Sequence, residues 1–93
     1  MVRAVVQFER EPEAERYQRH LDEFVSKVPC SAFRHGRAIG SPFGEPPFAY
    51  YAEFEWADAD AFKAATRSEE FAVTGKDAME MGIPFTVAFV DIE

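Results

Sequence analysis

Cysteine is almost missing from this sequence. Cys30 is the single one in 93 residues, so no internal disulfide can form, and the cytosol is the expected compartment. Histidine is also sparse, with only His20 and His35. With no Cys pair and no known ligand spacing, His20, Glu23 and His35 make a poor metal set, and none is expected. Basic residues are in deficit, ten Lys and Arg against seventeen Asp and Glu, for a net charge of −7. The few cations are scattered, whereas a phosphate backbone or an anionic membrane demands clusters. Neither nucleic acid nor membrane is therefore an expected partner. No apolar run is long enough to span a bilayer. The opening Met1–Arg10 has too short an apolar run and no cleavage pattern for a signal peptide. Gly36, Gly40 and Gly44 are not spaced as a phosphate loop. Repeats, linkers and low-complexity tracts are lacking, so residues 1–93 read as one domain.

Aromatic side chains, by contrast, are abundant at 15%, ten of them Phe. Large aromatics dominate cores and interfaces. Their number suggests that more than one small core is being lined: a pocket, a subunit interface, or both.

The pattern of periods sets the element order. Val2 to Phe8 alternates as a strand, with Val2, Ala4, Val6 and Phe8 on one face and Arg3, Val5 and Gln7 on the other. From Pro12 to about Val28 the period turns helical. Tyr17, Leu21, Phe24, Val25 and Val28 make one stripe, Pro29 stops it, and His20 lies at its edge. Ala32 to Gly40 is a polar strand, and 41–47 a loop by composition. Phe48 to Trp56 is the clearest strand, with Phe48, Tyr50, Ala52, Phe54 and Trp56 alternating against Ala49, Tyr51, Glu53 and Glu55. Asp58 or Asp60 can cap a helix through Ala61, Phe62 and Ala65. Ser68 looks like a second cap, before Phe71, Ala78 and Met79, with Gly75 as an interruption. Phe85 to Ile92 is a last strand, apolar on both faces as if covered on both.

This β-α-β-β-α-β order is the ferredoxin-like plan, an α+β fold with helices on one face of a four-stranded antiparallel sheet. Val5, Tyr51, Ala88 and Val90 would then stand wet on the other face. A second copy of the chain is the simplest cover, so a homodimer is expected.

Several motifs carry a family resemblance in their order and spacing. They are Tyr17-Gln18-Arg19-His20, then Val28-Pro29, then Glu53-Phe54-Glu55-Trp56, then Asp60-Ala61-Phe62-Lys63-Ala64-Ala65 and Ser68-Glu69-Glu70. Over nearly its whole length the chain resembles the EthD-like proteins of the dimeric α+β barrel superfamily. Two positions depart from the pattern: Leu21-Asp22 stands where a Pro-Leu-like step is common, and Cys30 where Gly often follows the Pro. The resemblance implies a homodimer whose sheets face each other as a barrel, with a pocket in each subunit between sheet and helices. Relatives of this kind include cofactor-free monooxygenases of polycyclic phenols, lactone isomerases, polyketide cyclases and dehydratases, and haem-degrading enzymes.

On this basis a small apolar or aromatic oxygenated ligand is expected, with no metal or flavin held by the chain. His20 is the candidate general acid or base, since its pKa lies near working pH. Its plainer role is a half-buried histidine tied to backbone or to a neighbouring carboxylate. Tyr17, Phe24, Phe8, Tyr50, Phe54, Phe62 and Met79 are candidate pocket residues. Each would by default be core, but together they make an apolar ligand site plausible. His35 reads as an exposed or interface strand residue, and Cys30 as an inert thiol. The alternatives to an enzyme are a non-catalytic ligand-binding or accessory dimer, using the same pocket without His20, and a scaffold with no cavity.

Overall fold

In a computed structural model covering Met1–Glu93, the chain forms four strands and three α-helices. In chain order these are β1 (Val2–Phe8), α1 (Ala14–Glu23), β2 (Ala32–Arg37), β3 (Tyr50–Trp56), α2 (Ala59–Thr66), α3 (Glu69–Glu80) and β4 (Phe85–Asp91). The sheet is antiparallel throughout, in the order β2-β3-β1-β4. This is the ferredoxin-like arrangement that the periods imply.

The boundaries differ in instructive ways. α1 starts later than Pro12 because Glu13 is its N-cap, its carboxylate accepting from the backbone N–H groups of Glu15 and Arg16. It ends at Glu23, where Phe24 leaves helical geometry. Val25–Lys27 then form a 3-10 turn that still buries Val25. β2 stops at Arg37 and β3 begins at Tyr50, although Ala38 N–H still donates to Ala49 C=O across the ends. The second helical region is two helices, capped by Asp58 and Ser68. Gly75 does not interrupt α3, which runs through it to Glu80.

The core lies between sheet and helices. Ala4, Phe54 and Trp56 from the sheet meet Val25, Val28 and Ala65, with Leu21, Phe33, Phe62 and Phe71 packed around them. Trp56 is fully buried and donates its indole N–H to Pro29 C=O at 2.6 Å, so the same proline that ends the helical region also anchors β3.

The expectation that β4 is covered on both faces fails for the single chain. β4 is an edge strand, and its helix-side residues Val87 and Phe89 remain 47% and 56% exposed. The helices sit over the middle of the sheet and leave this edge open. The outer sheet face is also less apolar than Val5, Tyr51, Ala88 and Val90 suggest. At its centre Arg3 and Arg34 bridge Glu53 and Glu55, and the Tyr51 hydroxyl donates to Glu53 at 2.9 Å. Two cations and two anions balance there, so the face carries little net charge despite the acidic chain.

Candidate functional site

A cavity of about 290 Å3 opens between the sheet and helices α1 and α3. Thirteen of its sixteen lining residues are hydrophobic. β1 supplies Ala4, Val6 and Phe8; β3 supplies Ala52 and Phe54; β4 supplies Phe85, Val87 and Phe89. The strand alternation explains this set. Ala4 pairs with both Phe54 and Phe89, and Phe8 with Phe85, so same-face residues of neighbouring strands sit side by side. From α3, Phe71, Thr74, Gly75 and Ala78 share one helical face and form the opposite wall.

His20 and, one turn before it on α1, Tyr17 bring two titratable groups to the helix side of the cavity, and burial pushes the Tyr17 phenol up so that it stays protonated. The His20 ring is buried, and its Nδ1 lies 2.8 Å from Asp77 Oδ2 on α3. Asp77 is equally buried and is gripped by Arg16, whose Nη1 reaches Oδ2 at 3.0 Å and Nη2 reaches Oδ1 at 2.7 Å. Arg16 and His20 are four residues apart on α1, so one face of α1 presents both to a single carboxylate. The bidentate Arg16 contact holds the Asp77 carboxyl below its ordinary pKa, with His20 adding to it against the opposing effect of burial. Burial lowers the His20 pKa. The Asp77 hydrogen bond and charge oppose this, Arg16 reinforces it, and the net shift is downward.

Both directions favour an ionised Asp77 beside a neutral His20 at neutral pH. A carboxylate can only accept, so His20 Nδ1 carries the proton and donates it to Asp77. Nε2 then keeps its lone pair. It has no hydrogen-bond partner, yet no side-chain nitrogen or oxygen is both sealed from solvent and unpartnered. Nε2 therefore retains access, and the space His20 borders is the cavity. The result is an imidazole on the cavity wall, held through Nδ1 by a buried carboxylate, with Nε2 unpartnered within the protein.

Of the residues expected at a pocket, Tyr17, His20, Phe8 and Phe54 line this cavity. Phe24, Tyr50, Phe62 and Met79 do not. Phe24 lies past the end of α1, its ring 6.3 Å from that of His20 but outside the lining. Tyr50 packs edge-on against Tyr17, and its hydroxyl shares a 2.7 Å hydrogen bond with His35 Nδ1 near the surface. Phe62 belongs to α2 and fills the gap between Trp56 and Phe89. Met79 is 70% exposed: it follows Ala78 by one residue and has rotated off the cavity face. His35 is exposed, as expected for a strand histidine. The Cys30 thiol has its pKa pushed up by partial burial, which disfavours the reactive thiolate. No three His, Cys, Asp or Glu side chains converge as metal ligands would.

Asp77 and Arg16 were not singled out by sequence reasoning. A signal existed: Phe71, Thr74, Gly75 and Ala78 repeat at helical spacing, and Asp77 is the acid beside that stripe. Reading Gly75 as an interruption broke the stripe and hid it.

No protein-family model matches the chain, and no curated protein matches it. Solved structures do. An EthD family protein of Bacillus halodurans superposes with a TM-score of 0.78 at 24% identity, covering 100% of this chain and 99% of that one. The fold is that of the EthD proteins. A dimeric ferredoxin-like protein of unknown function from Jannaschia gives 0.72 at 18% identity, over 98% of both chains. SnoaB, a cofactor-independent oxygenase from Streptomyces nogalater, gives 0.65 at 18% identity, over 98% of this chain and 91% of that one. No helix of the protein is long and apolar enough to cross a membrane.

Proposed function

We propose that this chain is an EthD-like enzyme in which His20 removes or returns a proton on a small, uncharged, largely apolar molecule held in the cavity. The observation that carries the reading is the Arg16–Asp77–His20 relay, which leaves Nε2 basic and free against an apolar chamber.

The chemistry follows from the charges. Nε2 accepts a proton from an acidic C–H or O–H of the ligand, leaving an enolate or phenolate. The imidazolium so formed is stabilised by Asp77, whose charge Arg16 keeps available. The cavity has no unpaired cation to hold a carboxylate or phosphate, since the Arg16 guanidinium is committed to Asp77. The ligand is therefore neutral before reaction. Reaction of that anion with dissolved O2 gives oxygenation, its reprotonation at another atom gives isomerisation, its attack on a carbonyl of the same molecule gives cyclisation, and loss of a β-hydroxyl as water gives dehydration. SnoaB, a cofactor-independent oxygenase with this fold, supports that class of chemistry.

The protein acts as a homodimer joined through the outer sheet face. The charge-balanced Arg3/Arg34–Glu53/Glu55 cluster beside Val5, Ala88 and Val90 suits a self-complementary contact, and the Jannaschia protein of the same fold is dimeric.

The test is a panel of naphthols, β-diketones and lactones, followed by oxygen uptake and by deuterium exchange at carbon. His20→Gln should abolish turnover while leaving binding and folding intact. Turnover that persists in the variant, or that never exceeds the buffer rate in the parent, would sink the proposal in favour of a binding-only protein.

A further inference from the structure

We infer that Gly75 sets the size limit of the cavity's ligand, its missing side chain keeping the mouth wide enough for a two-ring compound. The inference rests on the reading that the cavity takes an apolar ligand, and not on what His20 does to it.

Gly75 lies mid-way along α3, where glycine costs about 1 kcal/mol relative to alanine. Two ordinary reasons for that cost are absent. The backbone does not require glycine, since the positive-φ positions are Gly40, Gly44 and Gly82. Packing does not require it either, because a Cβ built there meets nothing within 4 Å. What remains is the space itself. Gly75 lines the cavity beside Phe71 and Ala78.

That space is at the entrance. The deep lining residues Ala4, Phe8 and His20 are buried, whereas Gly75 is exposed and, on the sheet side, so are Val87 and Phe89. The opening thus runs between α3 and the edge strand β4. At about 290 Å3 the chamber sits at the small end of ligand sites, so a few methylenes at its mouth change what fits. A side chain at 75 would project into unoccupied room and narrow the entrance without disturbing the helix.

Binding of phenol and of 1-naphthol by calorimetry tests this, alongside thermal melts of the same full-length proteins. Gly75→Ala should raise Tm, showing that the fold does not need the glycine. Gly75→Leu should weaken 1-naphthol about tenfold or more while phenol stays within about twofold. Gly75→Met gives the same expectation should the Leu variant fold poorly. The inference is overturned if the Leu and Met variants bind 1-naphthol like the parent, if they lose phenol equally, if Gly75→Ala lowers Tm, or if the parent binds neither probe. Turnover plays no part in these readings. A parent that binds both probes selectively but transforms nothing would sink the base role of His20 and leave the role of Gly75 standing.

Discussion

Replacing Asp77 by Asn tests the relay that defines the site. The carboxylate accepts three charge-assisted contacts: Arg16 Nη1 at 3.0 Å, Arg16 Nη2 at 2.7 Å and His20 Nδ1 at 2.8 Å. The side chains of Asp77 and His20 are 7% and 6% exposed, and that of Arg16 is 22% exposed. An amide oxygen in the place of Oδ2 can still accept from both His20 Nδ1 and Arg16 Nη1, but the charge is lost and an NH2 group in the place of Oδ1 faces Arg16 Nη2 donor to donor. Breaking a fully buried ion pair costs about 3–5 kcal/mol. Arg16 can turn partly to water, which places the loss lower, at about 2–3 kcal/mol. For a domain of this size that is a fall in Tm of about 10–20 °C. Urea unfolding of the parent and Asp77→Asn, with Asp22→Asn as a control, measures it directly. The Asp22 carboxylate accepts only an exposed Gln18 contact, and the Ser26 hydroxyl bonds its backbone carbonyl, which the substitution keeps, so the loss should stay within about 0.5 kcal/mol. An Asp77→Asn cost no larger than the control's would show that the relay does not hold in solution, and the orientation of His20 would lose its cause.

Other outcomes follow from the same contacts. The folded pKa of His20 is lowered, so its contribution to stability is complete above the unfolded value of about 6.5 and is lost as pH falls below it toward the folded pKa. Urea midpoints should therefore drop on acidification below about pH 6.5, and a His20→Gln variant should show a shallower slope there. Ser68→Ala removes the α3 cap, in which Ser68 Oγ accepts from Phe71 N–H at 3.2 Å, and should cost about 1 kcal/mol by denaturant titration. Trp56→Phe leaves Pro29 C=O unpaired and a void against Phe54 and Phe62. A loss of about 2 kcal/mol is expected, and one under about 0.5 kcal/mol would contradict the packing. Sedimentation at micromolar concentration should show a dimer; a monomer peak would remove the outer sheet face as an interface.

Strand alternation carried most of the sheet. In β1 and β3 the period of two separates the faces, Ala4, Phe8, Phe54 and Trp56 on one and Arg3, Gln7, Glu53 and Glu55 on the other, but both faces carry aromatics and the packing of the helices decides which one lines the cavity. It also brings Phe8 and Phe54 to the cavity. Strand order is invisible to such local patterns, and with it the exposed edge at β4: an apolar strand looks the same whether a helix or open space lies beside it. Helix phase was legible in α1, where Tyr17 and His20 share a stripe, but not in α3. There Gly75 masks the period, and Met79, one residue past Ala78, stands off the cavity face. Asp77 meets His20 across 57 positions of sequence, a contact that only the packing of α1 on α3 creates.

The tautomer and titration of His20 are the most direct check on the account. Proton–nitrogen correlation NMR across pH should find a neutral imidazole carrying its proton on Nδ1, with a pKa below the usual 6.5. A proton on Nε2 instead, or an imidazole still protonated at neutral pH, would mean that no basic nitrogen is available to the cavity, and the proposed chemistry would have no base.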